Sequence, residues 1–276
     1  MKKIGILLVF IGLLSCTKNE KVLTYNNSNN KKELQNKLTG VLFPYNDGRL
    51  YALQKVNTPN IKTETFTKAE DGLSLHYTFP VLSETVNPLW KSFNKYLQET
   101  YINNENSIEA ILKNDALSCD PLYEDATRIK RTTDYKVYAK SMGLLSILIY
   151  KTNYYDDQYH NSFMFRGLNY DLAKGTFLTY EDLFIEGSEK ILLFKLNQEL
   201  EAWKIGEDSF NDCWKFTDST FAEVKNNFVI NESTIRFYFD DCAVCPTYTG
   251  NHYLEIPIDE LTHIMKSTDD QKLRKG

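Results

Sequence analysis

Residues 73–102 read LSLHYTFPVLSETVNPLWKSFNKYLQETYI. In the first part Leu73, Leu75, Tyr77 and Phe79 alternate with Ser74, His76 and Thr78, the period of a strand with one buried face. Pro80 is expected to end that strand, and His76 to face solvent. Asn87-Pro88 then marks a helix start, with asparagine as the cap and proline at the first helical position. Trp90, Phe93, Leu97 and Tyr101 step by three or four, laying one apolar stripe along a helix that reaches about Ile102. Ile108, Ile111 and Leu112 continue the pattern after a break at Asn103-Asn104. Aromatic residues at this spacing are read as core.

The same alternation of strand and helix recurs downstream. Tyr135 to Ala139 and Leu144 to Tyr150 read as neighbouring strands joined near Met142-Gly143. Phe163 to Tyr170 is extended, and Lys174-Gly175 is a turn. Ser188 is expected to cap a helix carrying Leu192, Leu196, Leu200 and Trp203 and ending near Gly206. Phe228 to Ile230 and Ile235 to Phe239 form a strand pair around Asn231-Glu232-Ser233. Leu254 and Ile256 suggest a last strand, and Asp259 a cap for a short helix through Leu261 to Met265. The order is β-helix-ββ, then β-helix-βββ. It predicts an α+β fold with antiparallel sheets packed against helices, built as two related β-helix-β modules.

The chain begins MKKIGILLVFIGLLSC: two lysines, an apolar run from Ile4 to Leu14, and Leu-Leu-Ser before Cys16. The basic start and short apolar core are those of a secretory signal peptide, too short to span a bilayer. Its end resembles the lipobox of bacterial lipoproteins, and that resemblance implies acylation of Cys16 after cleavage. More than one acyl chain would hold the protein stably on a membrane. Cleavage removes fifteen of the 276 residues, Lys2 and Lys3 among them, and moves the formal charge from -5 to -7. Such a balance argues against a nucleic-acid surface and towards a basic or neutral partner. Residues 17–36, rich in Asn and Lys, bury too little to offset their ordering entropy and are read as a tether.

Asn169-Tyr170-Asp171-Leu172, Gly175, Leu178 and Asp182-Leu183-Phe184 resemble the NYDL-x2-G-x2-L-x3-DLF element of the DUF3298 family, a bacterial envelope domain. Phe237-Tyr238-Phe239, Pro246, Gly250, Ile256-Pro257 and Glu260-Leu261 resemble its closing motif. The stretch from about Phe66 to Tyr150 is similar to the DUF4163 domain that commonly precedes it. The pair forms the outer part of lysozyme-sensing anti-sigma factors and precedes the catalytic domain of some peptidoglycan deacetylases. Neither attachment is found in this sequence, so the resemblance implies the sensing or binding module alone. Where relatives carry aromatic residues between FYF and the proline, this chain has Cys242 and Cys245. The expected organisation is a signal peptide at 1–15, a tether at 16–36 and an N-terminal segment at 37–60 with a turn at Asn46-Asp47-Gly48. A DUF4163-like domain follows at 61–155, then a DUF3298-like domain at 156–266 and a tail at 267–276.

Four cysteines besides Cys16 — Cys119, Cys213, Cys242 and Cys245 — suit disulfides in an oxidising compartment, with three possible pairings. Cys242–Cys245 with Cys119–Cys213 is the favoured pairing, because the first two are adjacent in sequence. The CxxC spacing is not read as a redox site, since Pro246-Thr-Tyr-Thr-Gly follows where a helix start is needed. The four histidines form no HExxH and no i,i+4 pair, and neither a metal nor a cofactor is expected. Glu181-Asp182 and Asp240-Asp241 are acidic neighbours, but adjacent residues on a strand point to opposite faces and make no ready dyad. No serine-nucleophile motif occurs.

The run Tyr154, Tyr155, Asp156, Asp157, Tyr159 and His160 is polar, aromatic and acidic together. It is the candidate ligand-binding loop, suited to a basic protein such as lysozyme, which the family resemblance brings in, or to an amine-bearing ligand; a cell-wall glycan is the other expected partner of the chain. The functional expectation is a non-enzymatic, lipid-anchored binding or sensing protein of the bacterial envelope, its domain in the periplasm or at the cell surface. A glycan-directed hydrolase and a structural accessory lipoprotein are the alternatives.

Overall fold

The computed structural model describes residues 60–114, 128–141, 143–156, 161–206, 211–250 and 252–266, all within the compact unit Phe43–Gly276. Cys16, the tether, the segment 37–59, Cys119, Asp157, Tyr159, His160 and the C-terminal tail lie outside the described residues.

The alternating stretch of residues 73–79 forms β2 (Leu73–Leu82), hairpinned to β1 (Ile61–Glu70). His76 is exposed, as its place in the alternation requires. Pro80 does not end the strand. The ladder to β3 (Ile129–Ser141) stops at the Tyr77–Thr133 pair, so β2 is bonded on one side only at Pro80, where a missing N–H is tolerated. Asn87 caps the following helical run, its side chain accepting from the Leu89 N–H at 3.0 Å, with Pro88 at the first helical position. The run is a 3-10 turn (Pro88–Trp90), α1 (Lys91–Leu97) and a π turn (Gln98–Asn103); α2 (Ile108–Asn114) follows.

One sheet carries β1 to β6 in sequence order, with β4 (Leu144–Tyr155), β5 (Ser162–Asp171) and β6 (Thr176–Leu178) completing it. All its neighbours are antiparallel except β2 and β3, whose parallel pairing follows from the helical crossover between them. The expectation of purely antiparallel sheets is corrected at that pair. A second, antiparallel sheet has the order β7 (Phe228–Ile230), β8 (Thr234–Tyr238), β9 (Tyr253–Pro257). The remaining helices are α3 (Tyr180–Leu183), α4 (Glu189–Gly206), α5 (Asp218–Val224) and α6 (Ile258–Leu261).

Strand β4 explains the layering. Leu144 to Lys151 are all buried, an unbroken run that only a strand covered on both faces shows. Leu145, Ile147 and Ile149 pack with Trp90, Phe93, Leu97 and Tyr101 of the helical run. Leu148 and Tyr150 turn the other way, onto Val229 of β7 and Tyr238 of β8. The far face of the small sheet, with Phe228, Ile230, Ile235, Phe237, Leu254 and Ile256, packs against Leu192, Leu196 and Leu200 of α4 and Phe221 of α5. The architecture is mixed α and β in two sheets. Its six-stranded sheet runs continuously from Ile61 to Leu178.

The two sheets are joined by close backbone approach and by polar side chains. A β-carbon on Gly167 of β5 would stand 2.3 Å from the Phe228 carbonyl oxygen, so only glycine fits. Asn227 accepts from the Gly167 N–H at 2.6 Å and donates to the carbonyls of Phe165 and Tyr238. Asn169 donates to the Phe228 carbonyl at 2.9 Å and accepts from Ser146, whose hydroxyl accepts from the Ile230 N–H. The NYDL element is therefore architectural. Tyr170 is buried and donates to the Leu89 carbonyl, and Asp171 accepts from the Ala173 and Lys174 N–H groups at the turn.

Two expected caps differ in detail. The Ser188 carbonyl accepts from Ile191 and Leu192 at the start of α4, but its hydroxyl is turned to the Ile185 carbonyl and the Tyr180 hydroxyl. Asp259 lies inside the first turn of α6, which starts after Pro257, so it acts on the helix dipole rather than as the cap.

Candidate functional site

The predicted aromatic loop divides. Tyr154 is 46% exposed, whereas Tyr155 is 1% exposed, in the core with Leu75 and Ile129. Its hydroxyl accepts from Asn153 at 2.9 Å. Tyr155 is thus removed from any exposed recognition surface: strand β4 runs on to it, and alternation turns it inward. Asp156 accepts from the Arg128 N–H at 3.2 Å and donates its own N–H to the Arg128 carbonyl, closing the end of the β3–β4 ladder.

Beneath this end lies a buried ionic cluster. Glu105 accepts from Arg131 at 2.8 Å and from Lys151 at 2.5 Å, and Arg131 Nε donates to Asn153 at 2.7 Å. Burial pulls the Lys151 ammonium down to about 8 against the opposing pull of Glu105. Two cations hold this carboxylate, and all three side chains are almost wholly buried, so the cluster is a fastening rather than a reagent.

The acidic pairs are spent on structure as well. Asp240 accepts from the Phe165 N–H and from Arg166, and Asp241 from the Phe163 N–H at 2.6 Å, so both bind the edge of β5. Burial raises Asp241 to about 7, a value suited to a general acid. Its carboxyl, however, is buried, 3.4 Å from Nδ1 of a buried His252 whose ring packs against Phe163 and Phe165. Asp182 belongs to the capping box of α3, accepting from the Thr179 N–H. Among the described residues no group of three or more His, Cys, Asp or Glu is arranged to hold a metal ion, and no helix is long and apolar enough to cross a membrane.

Two loops do present aromatic side chains on a fixed frame. Cys213 is disulfide-bonded to Cys245, joining residues 211–217 to residues 239–250. The Trp214 N–H donates to the Val244 carbonyl at 2.7 Å, and the Tyr248 hydroxyl donates to Asp212. Trp214 is 52% and Tyr248 49% exposed. Cys242 is also disulfide-bonded, and its φ of +60° is the left-handed conformation that a side chain rarely adopts. The expected Cys242–Cys245 ring is therefore corrected, and with it Cys119–Cys213. Nearness in sequence misled, because the fold sets Cys213 beside Cys245 across two loops. Sequence reasoning passed over Trp214 and Tyr248. The signal was an aromatic residue next to, or three beyond, a cysteine within a polar run.

The disulfide makes a direct prediction. Non-reducing peptide mapping should recover a Cys213–Cys245 cross-link, and a Cys242–Cys245 peptide would overturn it. Its 32-residue span predicts that Cys245→Ser costs about 4 kcal/mol in urea unfolding.

Residues 181–259, from α3 through this disulfide-tied loop to α6, match one family. Its description is "Protein of unknown function (DUF3298)". No curated protein matches the chain. Among solved structures, the chain is similar to a DUF3298 family member from Bacteroides fragilis at 18% identity and TM-score 0.50, over 78% of this chain and 98% of that one. It is similar to a DUF3298 family protein from Pseudomonas aeruginosa at 16% identity and TM-score 0.50, over 75% of this chain and 95% of that one. At such identities these likenesses speak to the fold.

Proposed function

We propose that this chain is a lipid-anchored, non-enzymatic binding protein of the bacterial envelope whose recognition surface is the pair of loops carrying Trp214 and Tyr248. The observation that carries the reading is the exposure of both rings on loops fastened by Cys213–Cys245. Rigid aromatic anchors give large contact area at little entropic cost, which is what a recognition surface needs. The lipobox-like ending at Cys16 supports the anchor, and the three disulfide-bonded cysteines, Cys213, Cys242 and Cys245, suit an exported domain. The similarity of residues 61–155 to DUF4163 belongs to the same proposal. So does a ligand that is a cell-wall glycan or a basic protein such as lysozyme, the latter attracted by an acidic net charge that is -5 for the whole chain and -7 after cleavage before Cys16.

The test uses the full-length protein in detergent, with binding to peptidoglycan fragments and to lysozyme measured by calorimetry. Trp214→Ala and Tyr248→Ala should each weaken binding about thirtyfold, the size of a hot spot of about 2 kcal/mol. Affinities within threefold of the parent for both variants would move the site elsewhere. Turnover of peptidoglycan fragments would favour the hydrolase instead. For the anchor, Cys16→Ser should release the protein from membranes or leave it unprocessed, and unchanged fractionation would defeat that expectation.

A further inference from the structure

A second cluster, where β3 meets β8 and β9, has chemistry unlike that of the loop pair. The register of β3 against β4 shifts between Val137 and Ala139, a bulge that leaves Tyr138 as the extra residue. Bulges re-aim side chains, and here the Tyr138 hydroxyl meets that of Tyr238 at 2.5 Å. The Tyr138 ring carries two cations, Lys136 Nζ at 4.7 Å from its centre and the Arg236 guanidinium at 5.5 Å. Arg236 also lies 4.9 Å from the Tyr253 ring, whose edge meets Trp203. Glu255, cross-strand from Arg236, accepts from its Nε at 2.5 Å.

The cluster is unbalanced in two ways. Among the described residues Glu255 is the one carboxylate that acts on both Lys136 and Arg236, so there two positive charges are offset by one negative charge. Burial, and then the charge of Arg236, pull the Lys136 ammonium down to about 8, with the Glu255 carboxylate opposing them. Among the described residues the Lys136 ammonium and the Tyr253 hydroxyl make no hydrogen bond, although both residues are half-buried. Three ammonium donors and one phenol are left for a ligand.

We infer that Lys136, Tyr138, Arg236 and Tyr253 form a binding site for a carboxylate-bearing saccharide, the ammonium of Lys136 taking the carboxylate and the Tyr253 hydroxyl a ring hydroxyl. The anion supplies the missing negative charge, and a sugar supplies both the hydroxyl partner and a body that aromatic edges accept. This site stands apart from the loop pair and does not depend on it.

The experiment is a calorimetric titration of the full-length protein in detergent with three probes: a trigalacturonate, the neutral trigalactose and a tri-glutamate peptide. The trigalacturonate should bind at least tenfold more tightly than either other probe. Lys136→Gln should lower that affinity at least tenfold, Lys136→Arg should retain most of it, and Tyr253→Phe should lower it about threefold. Trp214→Ala should leave it unchanged, which separates this site from the one proposed above. Equal binding of neutral and acidic sugar, equal binding of the peptide, or unchanged affinity in a Lys136→Gln protein of unaltered circular dichroism would each overturn the inference.

Discussion

Gly167→Ala should destabilise the domain by about 4 kcal/mol and leave most of the protein insoluble on expression. The added β-carbon would meet the oxygen, carbon and nitrogen of Phe228 at 2.3, 2.6 and 2.8 Å, all of them backbone atoms that no rotamer change can withdraw. Strands β5 and β7 would have to separate. That strain, up to about 3 kcal/mol, comes with loss of buried hydrogen bonds from Asn227 and Asn169 worth about 1 kcal/mol or more. Domains of this kind hold only about 5–15 kcal/mol in total, so the loss should show in the urea midpoint and in soluble yield alike. A midpoint unchanged within experimental scatter would mean the sheets do not approach as described.

Glu105→Ala should cost a similar amount, about 3–5 kcal/mol, by a different route. The carboxylate binds Arg131 and Lys151 where neither cation is reached by water, and removing it leaves two buried positive charges without that counter-ion. The loss should be larger than that of any exposed pair. Lys95→Ala, which breaks the surface pair with Glu99, should change stability by no more than about 0.5 kcal/mol. Urea unfolding of the two variants side by side decides the matter, and equal small effects would refute a buried cluster.

The NYDL and FYF residues serve the fold: Asn169 and Tyr238 join the two sheets at the Phe228 carbonyl and at Tyr138, Asp171 accepts within a turn, and Phe237 packs on Phe228 within the small sheet.

Local chemistry was legible in the sequence. The strand of Leu73 to Phe79, the Asn87-Pro88 helix start, the β3–β4 and β7–β8 pairs and the Asp171 turn each follow from periodicity or from hydrogen bonds that span a few residues. The exposure of His76 followed from the same alternation. What the sequence could not decide were matters of distant neighbours. Parallel pairing of β2 with β3, the meeting of Gly167 with Phe228, and the choice of Cys213 as the partner of Cys245 depend on which surfaces meet after the helical crossover. Alternation shows that Tyr154 and Tyr155 face opposite ways, but only the packed helices on one side show that Tyr155 is the one inside. Likewise no spacing links Lys136 to Arg236 and Tyr253; the two sheets bring them around one ring, because a side chain's environment is set by the layer laid over it.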